Sequence, residues 1–198
     1  MSIKVVKFGG SSLADAEHFR QVAQIVLSDK DRRYVVASAP GKRFSADTKV
    51  TDMLYTCYNM VKNRENIDEY YEKIKARYNG IIADLGLDFD INGELEYVKN
   101  ALQHRAGRDF AASRGEYLNG IILAKYLGFD FIDAENVIFF RENGTFDEER
   151  TNAVLGEELL VGGDHGLARV ECREDERLRY ARAADRLHHD LHGRVGDH

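Results

Sequence analysis

The sequence contains no tryptophan, one proline and two cysteines among its 198 residues. Cys57 and Cys172 are far apart in the chain and form no Cys-x-x-Cys spacing. Such isolated cysteines argue against a disulfide framework and against a zinc site, and they fit a reducing compartment. We therefore predict a cytoplasmic protein that holds no structural metal.

Long hydrophobic runs and an excess of positive charge are also missing. No apolar run approaches the roughly 20 residues of a membrane-spanning helix, and the N-terminus lacks the apolar core of a signal peptide. The formal net charge is −6, so the chain has no electrostatic footprint for nucleic acid or for an anionic membrane. We predict a globular protein that binds neither.

The basic residues change in kind along the chain. All ten lysines lie in residues 1–160, whereas residues 161–198 hold seven arginines and five of the seven histidines. We place a boundary near Leu160, between a domain over 1–160 and a divergent Arg/His-rich tail over 161–198. The tail sequence is compatible with disorder or with a loosely amphipathic helix.

Histidines of the tail are candidate metal ligands. His188 and His192 are spaced i, i+4 and would share one face of a helix, with His189 beside them and Asp185 one turn earlier. This layout matches no known metal motif, so we predict no metal site there.

The N-terminal forty residues have the pattern of a βαβ unit. The apolar residues of 3–7 and 34–38 predict two buried strands. Between them, apolar residues recur with helical spacing from Phe19 to Leu27, and Asp15 is positioned as the N-cap. A strand, a helix and a strand in this order predict a parallel pair with a right-handed crossover.

The remainder of residues 1–160 is rich in predicted helices. One helix is expected to begin with Thr51 as its cap. Further helices are predicted over 66–84, 93–104, 108–127 and 152–160, and short strands over 129–132 and 137–140. Together these elements predict an α/β domain.

A glycine-rich loop joins the first strand to its helix, and one lysine precedes it. Backbone N–H groups of such a loop and the following helix N-terminus can bind phosphate, glycines permit close approach, and lysine adds a mobile charge. The loop lacks the Walker pattern and the Gly-x-Gly-x-x-Gly pattern. Spacing alone therefore leaves a plain strand-to-helix turn and a phosphate loop equally open.

Four motifs in a fixed order resemble those of aspartate kinases, which belong to the amino-acid kinase superfamily. The first is Lys7-Phe8-Gly9-Gly10-Ser11-Ser12, similar to the family's Lys-Phe-Gly-Gly-Thr/Ser-Ser signature. The others are Ser38-Ala39-Pro40-Gly41 after the second strand, Thr51-Asp52 at a helix start, and Ser113-Arg114-Gly115-Glu116 on a later helix. The resemblance covers about residues 1–160.

This resemblance implies a fold, a reaction and a cofactor. The fold is the three-layer α/β/α amino-acid kinase (carbamate kinase-like) fold with a mainly parallel sheet, here expected to be incomplete. The reaction transfers the γ-phosphoryl group of ATP, bound with Mg²⁺, to the side-chain carboxylate of L-aspartate. The product, 4-phospho-L-aspartate, leads to lysine, threonine and methionine. A homo-oligomer is compatible with this interpretation.

The resemblance also implies roles for individual residues. Lys7 is the expected catalytic residue. The expected nucleotide-binding residues are Lys7, Phe8, Gly9, Gly10, Ser11 and Ser12. Ser38, Thr51 and Glu116 match family positions that hold the aspartate, with Glu116 suited to pair with its ammonium group.

Each of these residues also has a simpler structural interpretation. Thr51 could act only as an N-cap, Glu116 could be a solvated helix residue, and Arg114 could form a weak surface ion pair. The tyrosines at positions 58, 70, 71 and 78 are better explained by helix packing than by base stacking.

The sequence departs from the family pattern in its second half. The Gly-Arg-Gly-Gly-Ser-Asp and Thr-Asp-Val-x-Gly stretches of these kinases do not occur, so little activity is expected from this chain alone. Three hypotheses remain: an aspartate kinase domain, a catalytically inactive truncated remnant of one, and a related amino-acid kinase acting on another carboxylate such as glutamate.

Overall fold

The computed structural model describes residues 3–161 and 170–171. Six helices and three strands form the described part of the chain. In order they are β1 (Lys4–Phe8), α1 (Ala16–Leu27), β2 (Arg32–Ala37), α2 (Val50–Lys62), α3 (Asp68–Leu85), α4 (Asn92–Gln103), α5 (Arg108–Leu127), α6 (Glu148–Val161) and β3 (Val170–Glu171). Short 3₁₀ turns occupy Gly10–Leu13 and Ala134–Asn136.

The three strands form one parallel sheet with β2 in the middle. Phe8 of β1 lies opposite Ala37 of β2, and Val35 of β2 lies opposite Val170 of β3. The predicted βαβ unit with its parallel pair is thereby confirmed. Because both strands run the same way, the loops that follow β1 and β2 leave the sheet at the same edge.

The prediction that the first strand is buried is wrong. Val5 is 66% exposed, Ile3 before it is also exposed, and only Val6 and Phe8 are partly covered. Among the described strands β1 pairs with β2 alone, so it is an edge strand. Hydrophobic composition marks this segment as a strand, but burial also depends on what lies beside it.

The core is formed mainly by side chains of helices α1 to α5, together with Val35 and Ala37 of β2. Tyr71 and Tyr78 of α3 are fully buried within it. The hydroxyl of Tyr71 donates to the Leu95 carbonyl, and that of Tyr78 donates to the Gly115 carbonyl, both at 2.8 Å. These bonds satisfy the buried hydroxyl groups, and the helix-packing interpretation of these two tyrosines is confirmed.

The boundaries of α1 and α5 follow the predicted signals, whereas the start of α2 does not. Asp15 caps α1 by accepting a hydrogen bond from the backbone N–H of His18 at 3.1 Å, and α5 covers 108–127 as predicted. The prediction that Thr51 caps α2 is wrong, because Lys49 is the N-cap residue and the helix begins at Val50. The helix therefore begins one residue before the polar threonine, at Val50, which is fully buried.

Two predicted strands are not formed. Residues 129–132 have no regular structure, because Gly128 (φ 70°) ends α5 and the N–H of Phe129 bonds back to the Ala124 carbonyl. Residues 137–140 contribute only an isolated antiparallel bridge from Phe140 to Phe146. Without a neighbouring strand, a short run of aromatic and β-branched residues does not form a ladder.

The C-terminal predictions are tested only in part. α6 begins at Glu148, four residues before the predicted start. β3 falls within the predicted tail, while the tail's histidines lie outside the described residues. The boundary near Leu160 stays a prediction. None of the described helices is long and apolar enough to cross a membrane.

Candidate functional site

The loops after β1 and β2 are bonded to each other at the edge of the sheet. The backbone N–H of Ser38 donates to the Phe8 carbonyl at 3.1 Å, and the N–H of Gly41 donates to the Gly10 carbonyl at 2.8 Å. The first two predicted motifs are thereby in direct contact.

Two glycines allow this contact. A Cβ atom on Gly10 would lie 2.7 Å from the Ala39 carbonyl oxygen, and one on Gly41 would lie 2.6 Å from the carbonyl group of Gly10. The atoms in the way belong to backbone, which cannot rotate aside as a flexible side chain can. Any larger residue at position 10 or 41 would therefore force the two loops apart.

The other two motifs reach the same place from α2 and α5. The N–H of Val50, directly before Thr51, donates to the Pro40 carbonyl at 3.1 Å. A Cβ on Gly115 would lie 2.8 Å from the Ala39 Cβ, so α5 packs closely on this loop. Asn119, one turn further on, donates its side-chain N–H to the Ser38 carbonyl at 2.7 Å. All four motifs therefore meet around residues 38–41.

The glycine loop itself turns tightly and leaves one side open. Ser12 donates its N–H to the Gly9 carbonyl at 3.0 Å, and the turn ends at the buried Leu13. Gly9 and Ser11 are exposed, and a Cβ on Gly9 would meet no atom within 4 Å. Phe8 and Ser12 are half-buried. This open side can admit a phosphate group.

Lys7 directly precedes that loop and is the second-to-last residue of β1. Its side chain is exposed, and within the described ranges it makes neither an ion pair nor a hydrogen bond. Lys4, on the same strand, is instead paired with Asp29 at 2.8 Å. Among the described residues, Lys7 therefore has no partner that would compete with a ligand beside the exposed loop backbone.

The motif on α5 is buried. Glu116 is only 7% exposed, so the interpretation of Glu116 as a solvated helix residue is wrong. Arg114 forms an ion pair with the half-exposed Glu135 at 3.5 Å, but Arg114 is itself only 3% exposed, so it does not lie at the surface. Its guanidinium lies over the rings of Phe110 and Tyr117, at 4.8 and 4.6 Å from the ring centres. Burial on a helix that contacts the Ser38 loop distinguishes Glu116 from an ordinary surface glutamate.

Ser38 and Thr51 are both half-buried at the same edge of the sheet. Thr51 is the second residue of α2, so its hydroxyl does not cap the helix. Its side chain is therefore not needed for a structural role at the helix start. The substrate-binding roles of Ser38, Thr51 and Glu116 remain predictions.

The sequence analysis missed an ion cluster behind the second loop. Arg77 of α3 donates from Nη1 to the Asp47 carboxylate at 2.7 Å and from Nη2 to the Gly41 carbonyl. Arg43 donates to the same carboxylate at 2.8 and 3.0 Å. The side chain of Arg77 is 5% exposed and that of Asp47 is 10% exposed. The sequence contained one indication that Arg77 is buried. Arg77 follows Ile74 by three residues and therefore lies on the apolar face of α3.

The carboxyl group of Asp47 is held ionised by this cluster. Hydrogen bonds from the Arg43 side chain are the main reason that the pKa of Asp47 lies well below its ordinary value. Bonds from the Arg43 backbone and from Arg77 act in the same direction, whereas burial opposes them.

Replacing Asp47 with asparagine is expected to lower the free energy of unfolding by about 2 kcal/mol near neutral pH, since two guanidinium groups lose their carboxylate. Because the pKa of Asp47 is lower in the folded state, its ionised form stabilises the protein fully at pH values above the unfolded-state pKa of about 3.9. This stabilisation is lost as the pH falls towards the folded-state pKa. Urea unfolding from about pH 2 to 8 should show the wild-type advantage shrinking below about pH 4.

Asp52→Asn, which changes an exposed carboxylate on α2, is the matched control and should alter stability little. An Asp47→Asn variant that unfolds like the wild type at neutral pH would contradict this assignment.

A parallel sheet whose strand-to-helix loops meet at one edge places the chain in the α/β class. The profile of the amino acid kinase family matches residues 2–179. The chain therefore belongs to the amino acid kinase family.

The chain is similar in sequence to several aspartokinases. It is 35% identical to aspartokinase 3 of Bacillus subtilis over 144 residues, which are 68% of this chain and 31% of that protein. It is 32% identical to the aspartokinase of Chlamydia pneumoniae over 148 residues, 70% of this chain and 31% of that protein. The chain thus spans about a third of the length of these relatives.

Two solved structures share the fold. The aspartate kinase of Clostridium acetobutylicum superposes with a TM-score of 0.81 at 47% identity, covering 86% of this chain and 38% of that one. Aspartokinase III of E. coli, in complex with aspartate and ADP, gives a TM-score of 0.71 at 24% identity over 86% of this chain and 40% of that one. The described part is thus an incomplete amino acid kinase fold, as predicted.

Proposed function

We propose that the chain is a segment of an aspartate kinase, which transfers the γ-phosphoryl group of ATP to the side-chain carboxylate of L-aspartate. The observation that carries the proposal is the meeting of four separate motifs around residues 38–41, next to the strand that carries Lys7, which has no ion-pair partner among the described residues. The identities of 35% and 47% to aspartokinases favour aspartate as the acceptor.

ATP with Mg²⁺ is the proposed cofactor, and the residues present fit a nucleotide phosphate. Gly9 and Ser11 expose loop backbone, and Lys7 supplies a positive charge with no competing carboxylate in the described part of the chain. Residues 3–161 and 170–171 contain no cluster of His, Cys, Asp or Glu that could hold a metal by itself. Mg²⁺ is therefore proposed to enter with the nucleotide, where it neutralises phosphate charge.

The transfer needs positioning and charge more than it needs a base. An oxygen of the aspartate side chain, already ionised at neutral pH, forms the new bond to the γ-phosphorus. The bond from that phosphorus to the bridging oxygen breaks, and its electron pair leaves with ADP. Lys7 is proposed to stabilise the negative charge of the moving phosphoryl group.

Ser38, Thr51 and Glu116 are proposed to bind L-aspartate. Glu116 is ionisable and buried on the helix that contacts the Ser38 loop, which suits it to pair with the substrate ammonium. The product would be 4-phospho-L-aspartate, a precursor of lysine, threonine and methionine, made in the cytoplasm. A homo-oligomer is also proposed, since the exposed edge strand with Ile3 and Val5 can pair with another chain.

Glu116→Gln is expected to weaken L-aspartate binding about 10- to 100-fold, because a charged hydrogen-bond partner of the ammonium is lost. Binding of a non-hydrolysable ATP analogue should change little. Calorimetric titration of each ligand, with a thermal melt of each variant, measures both effects.

Glu96→Gln, which changes a surface glutamate paired with Lys75, is the control and should leave both affinities unchanged. Tighter binding of L-glutamate than of L-aspartate would favour the other carboxylate as substrate, and an unchanged aspartate affinity in Glu116→Gln would contradict the proposed role.

A further inference from the structure

We infer that Arg77 is a positioning residue for the phosphate loop, acting through Gly41 and oriented by Asp47. This inference rests on the proposed function, because it assumes that residues 7–12 bind nucleotide phosphates. Arg77 itself lies behind the loops, on α3, and belongs to none of the four motifs.

Gly41 is held from both sides of its own backbone. Its N–H donates to the carbonyl of Gly10 in the phosphate loop at 2.8 Å, and its carbonyl accepts from Nη2 of Arg77. Because neither glycine leaves room for a Cβ, the two loops are already in van der Waals contact. A displacement of Gly41 is therefore passed directly to Gly10.

The guanidinium of Arg77 is itself fixed in place. Nη1 donates to Asp47 at 2.7 Å, and Asp47 is also bound by Arg43. A buried cation needs such a partner, since the Arg77 side chain is only 5% exposed. Asp47 therefore sets the direction in which Arg77 can donate to Gly41.

The Nε atom of Arg77 shows that this orientation is constrained. It is buried and has no hydrogen-bond partner among the described residues. A buried unpaired donor is unfavourable, so the arrangement that reaches both Asp47 and Gly41 persists against that loss. The side chain therefore keeps its contacts to Asp47 and Gly41 even though its Nε remains unpaired among the described residues.

Lysine could not replace this arginine. The two acceptors, on Gly41 and Asp47, are six residues apart in the chain and are reached by separate arms of one planar group. A lysine presents a single ammonium group, which lacks the fixed fork geometry. Arg77→Lys therefore keeps the charge and removes the simultaneous contact.

The expected consequence is specific to phosphate. A shift of about 1 Å in a positioning group can lower activity by about 100-fold, so loosening the loop should weaken phosphate binding without touching the adenine. Arg77→Lys is expected to weaken ATP and inorganic tripolyphosphate about tenfold, with adenosine binding unchanged. Hydrogen exchange of amides 9–13 should become faster, with β1 and α1 unaffected.

Two reference variants complete the experiment. Lys75→Gln changes a residue two positions earlier on α3 that is paired with Glu72 and Glu96. It should retain wild-type affinity for ATP and for tripolyphosphate. Lys7→Ala should lose affinity for both of these ligands. If Arg77→Lys does not fold, Asp47→Asn takes its place, since it removes the orienting carboxylate and keeps Arg77.

The outcomes separate this inference from the proposed function. Loss of ATP and tripolyphosphate affinity in Arg77→Lys, with adenosine binding retained, supports the inference. Wild-type affinity in Arg77→Lys together with a loss in Lys7→Ala overturns the inference and leaves the proposed function standing. Wild-type affinity in Lys7→Ala overturns both, because the loop would then not bind phosphate. Equal losses for all three probes in a variant that melts like the wild type also overturn the inference, since the effect is then not specific to phosphate.

Discussion

Gly41→Ala is expected to lower the midpoint of thermal unfolding by about 10 °C, corresponding to roughly 3 kcal/mol for a domain of this size. The added methyl group would lie 2.6 Å from the carbonyl carbon and oxygen of Gly10 and 2.8 Å from the nitrogen of Ser11. All three atoms belong to backbone, so relief requires the two loops to separate. That separation also breaks the hydrogen bond from Gly41 to Gly10. Differential scanning calorimetry measures the shift.

Gly80→Ala is the matched control for this substitution. Gly80 lies within α3, and a Cβ there would meet no atom within 4 Å. Alanine at such a helical position should stabilise the protein by about 0.5–1 kcal/mol. The two substitutions add the same methyl group and are expected to act in opposite directions. A Gly41→Ala variant as stable as the wild type would show that the two loops are not in contact.

Lys7→Ala is expected to weaken ATP binding by about 10- to 100-fold while changing the free energy of unfolding by less than about 0.5 kcal/mol. The side chain is exposed and makes no ion pair with the described residues, so its removal disturbs little packing. The substitution would remove the proposed interaction between the positive charge of Lys7 and the phosphates of ATP. Fluorescence titration with a labelled ATP analogue and urea unfolding test the two parts separately.

Lys4→Ala provides the comparison on the same strand. Lys4 is exposed and paired with Asp29, at the end of β1 far from the glycine loop. Its replacement removes the same charge and should leave ATP affinity unchanged. Equal affinities in Lys7→Ala and the wild type would contradict the phosphate-loop assignment.

Features set by local sequence were predicted well. The cap at Asp15, the span of α5 and the parallel pairing of the first two strands depend on signals within a few residues or on chain direction. Burial of the first strand and the predicted strand over 129–132 depend instead on neighbours that the local pattern does not specify. Those two predictions failed for that reason.

In the candidate site too, the sequence predicted the motifs but not the contacts between distant residues. The resemblance pointed to the four motifs, and the structure places them together around residues 38–41. It did not point to Arg77, whose bond to Asp47 joins residues 30 positions apart. The spacing of apolar residues does not predict an ion pair between residues so far apart. Its only indication is one arginine on an apolar helix face. The burial of Glu116 and Arg114 likewise follows from how α5 packs, which single-residue propensities do not contain.

The close packing of Gly115 against Ala39 has a consequence for protein synthesis. The two residues are 76 positions apart, and the loop between β2 and α2 contacts α5 through this glycine and through Asn119. A chain emerging from the ribosome with its N-terminus first can pair β1 with β2 early. The contacts between residues 38–41 and α5 cannot form until α5 has left the exit tunnel and docked. About a hundred residues are therefore translated after the glycine loop before α5 is available to pack against residues 38–41.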